Sequence, residues 1–299
     1  MSFSSQVKDE LVKTEYEQIC CKKSLLYGMA LFAKSFSFRD VTFQSENKNI
    51  IELFKALLKE LCNINASISV SPAGKNFTIV LKKAESAKLL TYFGHGERET
   101  GLVINVSNFV CPNCQCAFLA GTFLSCGTVS SPEKGYHLEY SIAYHNLSRS
   151  FITFLQELEL SPKLTNRKGY NIVYFKESEA IEDSLYIMGA PSSMFDMMNI
   201  KIVKEIRNSA NRKANCETAN IEKMVRAASP QIAAILKIKD TVGLDSLSQP
   251  LKEMAEVRLE NPDSSLNELA GMFDPPLSRS GVNHRLKRIV DIANEVKQG

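Results

Sequence analysis

Near the end of the chain, the run SSLNELAGMFDPPLSRSGVNHRLKRIVDIA concentrates side chains able to hydrogen-bond nucleic acid. Val282, Leu286, Ile289 and Ala293 are spaced as the apolar stripe of a helix, and the face opposite that stripe carries Ser280, His284, Lys287 and Arg288. Asn283 and Arg285 fall on its flanks. Lysine and arginine neutralise phosphates, whereas asparagine, histidine and arginine offer hydrogen bonds to base edges. Arg279 and Ser280 open the helix, where free backbone N–H groups also meet an anion. Upstream, Arg207, Asn208, Asn211, Arg212 and Asn215 recur three and four residues apart. Arg207, Asn211 and Arg212 are candidates for additional DNA contacts. The same run could instead cap and cross-link neighbouring helices. The need of a mid-helix asparagine for a local partner inclines the reading to that structural role.

Such side chains read DNA only when a second helix fixes the one that carries them. Ser265 and Glu268 have the spacing of a capping box, and Leu266, Leu269, Ala270 and Phe273 form one apolar face. Asp274-Pro275-Pro276 must end that helix, and Ser278 or Ser280 can cap the next. The pattern is a helix-turn-helix, with an interval from Ala270 to Val282 about two residues longer than in the shortest form of the motif. The competing reading is a helical hairpin whose basic residues are merely solvated. Before it, PQIAAILKIKDTV reads as a helix opened by Pro230 and stopped near Gly243, and PLKEMAEVRLEN as another before Pro262. No strand pattern occurs beyond residue 199.

Two other chemistries are weaker. Cys111, Cys114 and Cys116, in CPNCQC, could reach one metal, but no companion C-x-x-C exists and His95 or Cys126 would have to supply a fourth ligand. These thiols are therefore read as reduced and metal-free, and the sequence calls for no cofactor. The four histidines (His95, His137, His145, His284) form no ligand pair. Glu139 lies on an expected strand, where a lone carboxylate reads as part of a solvated face.

The first two thirds are organised around AFLAGTFLSCG, residues 117–127, where small residues recur at places that a helix normally fills with bulk. Ala117, Ala120, Gly121, Ser125 and Gly127 let another backbone approach, and Phe118, Leu119, Phe123 and Leu124 anchor in apolar layers. Its twin, SLLYGMALFAKS, places Gly28 in register with Gly121, 93 residues later. Other elements repeat at nearly the same offset. The stripe Phe54, Leu57, Leu58, Leu61 recurs as Phe151, Phe154, Leu155, Leu158, and Phe77–Val80 recurs as Tyr170–Val173. The four-residue difference between these offsets places extra residues at the turn SSPEKGYH. A single strand is expected over FSFRDVTFQS, and a duplicated domain follows from the repeat. The paired helices resemble the signature helices of the LAGLIDADG homing endonucleases, each of which heads an αββαββα half. Leu119-Ala120-Gly121 matches the opening of the motif and Gly127 its last glycine, but Cys126 and Ala33 stand where the metal-binding acids belong.

At 299 residues, 44% apolar and 23% charged, the chain can bury two cores, and no window approaches a membrane span. The cysteines are irregularly spaced and the N-terminus lacks a signal-peptide core, so a cytoplasmic, nucleoid-associated protein with reduced thiols is expected. The net charge of +3 arises wholly after residue 198. The expected fold is α+β: a duplicated αββαββα domain over 1–188, with repeats at about 20–94 and 112–188, a linker over 189–199, and an all-α helix-turn-helix domain over 200–299. The acid-free repeats, the run RNSANRKANCETAN and the terminal LSRSGVNHRLKRI together resemble the WhiA family of bacterial sporulation and cell-division regulators. That resemblance implies a DNA-binding transcription regulator acting in sporulation, cell division or chromosome segregation. Its partner would be double-stranded DNA, with room for a second regulatory protein. The rival readings are an active homing-type endonuclease and a division-linked adaptor working mainly through protein contacts.

Overall fold

The structure, a computed structural model, describes residues 2–72, 74–97, 99 and 101–296. The chain divides into two compact units, Met1–Lys204 and Glu205–Gly299.

In the first unit a leading helix α1 (Phe3–Lys13) precedes two copies of one element order. The first copy runs α2 (Ile19–Leu31), β1 (Ser35–Phe36), β2 (Asp40–Ser45), α3 (Lys48–Cys62), β3 (Ile68–Val70), β4 (Phe77–Lys82) and α4 (Lys83–Tyr92). The second runs α5 (Pro112–Cys126), β5 (Gly127–Val129), β6 (Leu138–Ile142), α6 (His145–Glu157), β7 (Lys163–Arg167), β8 (Tyr170–Phe175) and α7 (Ser178–Ile187). Each copy folds into a four-stranded antiparallel sheet, in the orders β1-β2-β4-β3 and β5-β6-β8-β7. Phe43 pairs with Ile79 in one sheet and Tyr140 with Val173 in the other. The extra residues expected at SSPEKGYH are present: the β5–β6 connection spans 130–137, against 37–39 between β1 and β2.

The expected single strand over FSFRDVTFQS is a hairpin instead. The Ser37 hydroxyl accepts the Arg39 and Asp40 N–H groups at 3.3 and 3.2 Å, and the Ser37 N–H donates to the Asp40 carbonyl at 3.0 Å. This local bonding turns the chain where apolar alternation alone reads as continuous.

The core is centred on α2 and α5, which pack backbone to backbone. A Cβ at Gly28 would overlap the Phe118 carbonyl oxygen, and one at Gly121 would overlap the Leu25 carbonyl oxygen. Leu26, Met29, Phe118, Leu119 and Phe123 are wholly buried around this contact. The two stripes flank it: Phe54 and Leu58 on α3, and Phe151 and Leu155 on α6, have no exposed surface, and the Phe43 ring stacks on Phe54 at 4.3 Å.

Residues 189–199 are not a linker. Pro191 begins a helix, α8 (Pro191–Thr241), whose first turn the sequence disguises with glycine, proline and serines. Proline suits a first helical position, since its missing N–H would have had no partner. The Glu10 carboxylate, distant in sequence, accepts the Ser192 and Ser193 N–H groups at 2.7 and 2.9 Å and the Ser193 hydroxyl at 2.6 Å. Burial works against ionising Glu10, but these hydrogen bonds prevail and hold its carboxyl below the usual range. Pro230 likewise lies inside α8 rather than opening a helix. Its lost hydrogen bond falls on an exposed stretch of the helix, where the cost is smaller than in a buried one.

The second unit comprises the remainder of α8, α9 (Gln249–Glu260), α10 (Leu266–Gly271) and α11 (Arg279–Glu295). Ile235, Ile238, Met254, Leu269, Val282, Leu286 and Ile289 form its core, each with no exposed surface. Arg258 is buried beside this core and donates to the Ser264 carbonyl at 2.6 Å, which ties the end of α9 to the segment leading into α10.

Candidate nucleic-acid interface

The capping box expected at the first helix of the motif is formed. Ser265 Oγ accepts the Glu268 N–H at 3.3 Å, and the Glu268 carboxylate accepts the Ser265 N–H at 2.7 Å. Leu269 and Ala270 are buried, while Leu266 and Phe273 pack half-buried against the same core. Helix α10 ends at Gly271, before the Asp274-Pro275-Pro276 turn that the sequence suggested as its stop. The longer connection is held by Leu277, whose N–H donates to the Ala270 carbonyl at 2.9 Å and whose side chain joins the core. Ser278 caps α11 by accepting the Gly281 N–H at 3.1 Å, which settles the choice between Ser278 and Ser280.

In α11 the stripe Val282, Leu286, Ile289 and Ala293 is buried as the spacing predicts. This fixes the rotation of the helix about its axis and leaves Arg279, Ser280, Asn283, His284, Lys287 and Arg288 exposed. Among the described residues none of these has a side-chain partner except Ser280, which shares a hydrogen bond with Ser278 at 3.0 Å. Arg285 differs from them. It is half-buried, with its guanidinium over the Phe273 ring at 5.8 Å, so it braces α11 against the end of α10 as well as bordering the exposed face. At the far end the Lys237 ammonium donates to the Ala293 carbonyl at 2.7 Å, a favourable place for a cation near a helix C-terminus.

The run on α8 departs from the structural role that the sequence favoured. Arg207, Asn208, Asn211, Arg212 and Asn215 are all exposed, and among the described residues they make no side-chain hydrogen bond or ion pair. Helical spacing alone does not distinguish a covered run of a helix from an exposed one.

The residues at the vanished acid positions come together as the twin helices require. Ala33 and Cys126 both line a cavity of about 410 Å³ at the C-terminal ends of α2 and α5, with Phe32, Ser125 and Ser141 also in its wall. Burial pushes the Cys126 thiol up to about 12 and pulls the nearby Lys8 ammonium down. Neither Ala33 nor a neutral thiol is a hard oxygen ligand for Mg²⁺. Glu139 does not line this cavity. Its carboxylate binds Arg167 at 2.5 Å and His137 at 2.9 Å, and these contacts overcome its burial to hold the carboxyl below the usual range.

The thiols group differently from the set weighed in the sequence. Cys111 and Cys114 are close, but neither Cys116, His95 nor Cys126 joins them. His95 instead bonds the Tyr27 hydroxyl at 2.9 Å and the Glu99 carboxylate at 2.8 Å. The residues that do join are Cys20 and Cys21, which the spacing of CPNCQC does not point to. The available signal was the repeat itself: Cys21 and Cys114 are 93 residues apart, the offset of Gly28 and Gly121.

Comparison with known proteins adds the following. A family model described as "WhiA LAGLIDADG-like domain" matches residues 115–207, and one described as "WhiA C-terminal HTH domain" matches residues 210–293. A protein of Lachnoclostridium phytofermentans named "Probable cell division protein WhiA" is 38% identical, with 100% of each chain covered. One of the same name from Caldicellulosiruptor bescii is 36% identical, covering 100% of this chain and 97% of the other. The crystal structure described as "full-length DUF199/WhiA from Thermatoga maritima" has the same fold, with a TM-score of 0.60 at 24% identity and 100% of both chains covered.

Proposed function

The chain belongs to the WhiA family, and on that premise we propose that it is a sequence-specific DNA-binding regulator of transcription, acting in cell division, sporulation or chromosome segregation. Helix α11 enters the major groove. Asn283, His284 and Arg285 read base edges, Lys287 and Arg288 hold phosphates, and Arg279 and Ser280 grip the backbone at the helix N-terminus. Arg207, Asn211 and Arg212 track further phosphates along α8. The observation that carries this reading is the exposed polar and cationic face of α11, where Arg279, Asn283, His284, Lys287 and Arg288 have no side-chain partner among the described residues, on a helix whose other face is locked into a core.

On this reading the N-terminal domain, whose residues 115–207 match the "WhiA LAGLIDADG-like domain" model, has lost nuclease activity. Two-metal hydrolysis of a phosphodiester needs carboxylates that hold Mg²⁺ beside the attacking and leaving oxygens, and Ala33 and Cys126 occupy their places. Freed from cutting, this domain is available to a second DNA segment or to a regulatory protein. Among the described residues no helix is long and apolar enough to cross a membrane. The proposed DNA binding implies association with the nucleoid.

Selection of duplexes from a random library by the intact protein tests the proposal. Enrichment of a shared motif is expected, with the duplexes left intact in Mg²⁺ or Mn²⁺. Recovery of a library without any motif would overturn sequence-specific reading, and a metal-dependent cut at one site would restore the endonuclease alternative.

A further inference from the structure

The N-terminal ends of α2 and α5 converge on four thiols. Cys20 and Cys21 lie in the first turn of α2, Cys111 is the capping residue of α5, and Cys114 lies in its first turn. All four sulfur atoms are within 4.8 Å of one another, with Cys20–Cys111 at 3.7 Å and both Cys21–Cys111 and Cys111–Cys114 at 3.5 Å. We propose that these four cysteines bind one Zn²⁺ ion in a tetrahedral all-thiolate site, which clamps the two halves of the N-terminal domain together.

The spacing selects a single ion. Zinc–sulfur bonds of about 2.3 Å in a tetrahedron set the sulfurs about 3.8 Å apart, close to the separations observed. A cluster distributes its cysteines over two or more irons and holds them farther apart. Soft thiolates disfavour Mg²⁺ and Ca²⁺, and a complete set of four protein ligands leaves no position for substrate, so the site is structural. All four cysteines are free thiols. The four sulfurs lie at the N-terminal ends of α2 and α5, where the partial positive charge of each helix end favours a negatively charged metal–thiolate group. Cys21 and Cys114 are 3% and 0% exposed, while Cys20 and Cys111 are half-buried, which gives an ion a route of entry.

The location gives the clamp its effect. Cys21 and Cys114 hold equivalent places in the two repeats, seven residues before Gly28 and Gly121. The glycines bring the two helices into contact near their middles, and the metal would fix the same pair at their N-terminal ends. In the unfolded chain these cysteine pairs are separated by about 90 residues, so binding one ion closes a long loop and couples metal affinity to folding.

The test uses the full chain, purified with a reductant and without chelator, then equilibrated with Zn²⁺ and passed through gel filtration. Elemental analysis should give about one zinc per chain. Replacing Zn²⁺ with Co²⁺ should give the intense visible bands of a tetrahedral tetrathiolate site. Cys21→Ser and Cys114→Ser should each lower zinc affinity more than about tenfold, whereas Cys62→Ser and Cys216→Ser should leave it unchanged. Because Cys21 and Cys114 are in the core, the half-buried Cys20→Ser provides the variant that can fold and still be read: its Co²⁺ spectrum should shift to that of three thiolates. Failure of the folded wild-type chain to retain zinc, or an unchanged Co²⁺ spectrum in Cys20→Ser, would overturn the assignment.

Discussion

Replacing Lys287 and Arg288 together by alanine should weaken binding to every DNA duplex, whatever its sequence, and flatten the dependence of affinity on salt. Both side chains are exposed on α11 and have no partner among the described residues, so their removal takes away cationic charge without opening the core. Each phosphate contact releases condensed counterions and contributes about 0.9 to the slope of log affinity against log salt. The double variant should therefore lose roughly 1.8 units of slope. A salt titration by fluorescence anisotropy, with circular dichroism to show that α11 persists, measures this. An unchanged slope would mean that these residues do not touch the backbone. Arg285→Ala should behave differently and also lower the stability of the helical unit, because the Arg285 guanidinium packs over the Phe273 ring.

Gly121→Ala should be among the most damaging single-methyl changes available in the chain. The added Cβ would meet the Leu25 carbonyl oxygen well inside contact distance and the Met29 nitrogen at 3.0 Å, and both are backbone atoms that no rotamer change can move. The helices must separate, which loosens the layer formed by Leu26, Phe118 and Phe123. Overpacking of this kind costs about 3 kcal/mol, at the upper end of the usual range. For a unit of this size, that corresponds to a fall of roughly 6–12 °C in Tm. Gly28→Ala should act in the same way through the Phe118 carbonyl oxygen. Gly271→Ala is the control, because a Cβ there meets nothing within 4 Å. Calorimetry of the full chain should show the first unit melting earlier in the Gly28 and Gly121 variants and unchanged in the control. Equal melting of all three would show that α2 and α5 do not pack through these glycines.

These two regions were also the most legible in the sequence, for different physical reasons. Gly28 and Gly121 announce a close helix contact because so few other arrangements favour small residues amid Leu and Phe, and the 93-residue offset then relates most elements of the two copies. The helix-turn-helix was legible because its signals are local: Ser265 with Glu268, Ser278 with Gly281, and the stripe from Val282 to Ala293 all act within one or two turns. Apart from the Ser37–Asp40 hairpin, whose bonds are local, what escaped depends on partners remote in sequence. The start of α8 looks like a linker until Glu10 is seen capping it from α1. The cysteines of CPNCQC look incomplete until the packing of α2 on α5 brings Cys20 and Cys21 beside them. The polar run from Arg207 to Asn215 is open to two readings in the sequence, and among the described residues its side chains are exposed and without a hydrogen-bond partner.

The central claim is that α11 discriminates among DNA sequences, and the ratio of Kd for a random duplex to Kd for a selected one tests it most directly. The ratio is measured for the intact chain, for Asn283→Ala, for His284→Ala, and for a chain ending at Lys204. Loss of a base contact costs about 1–3 kcal/mol, so each α11 substitution should reduce the ratio roughly 5- to 150-fold, and the shortened chain should show no preference. Full discrimination retained by the α11 variants, or by the chain that lacks the helical unit, would contradict the account and assign recognition to the N-terminal domain.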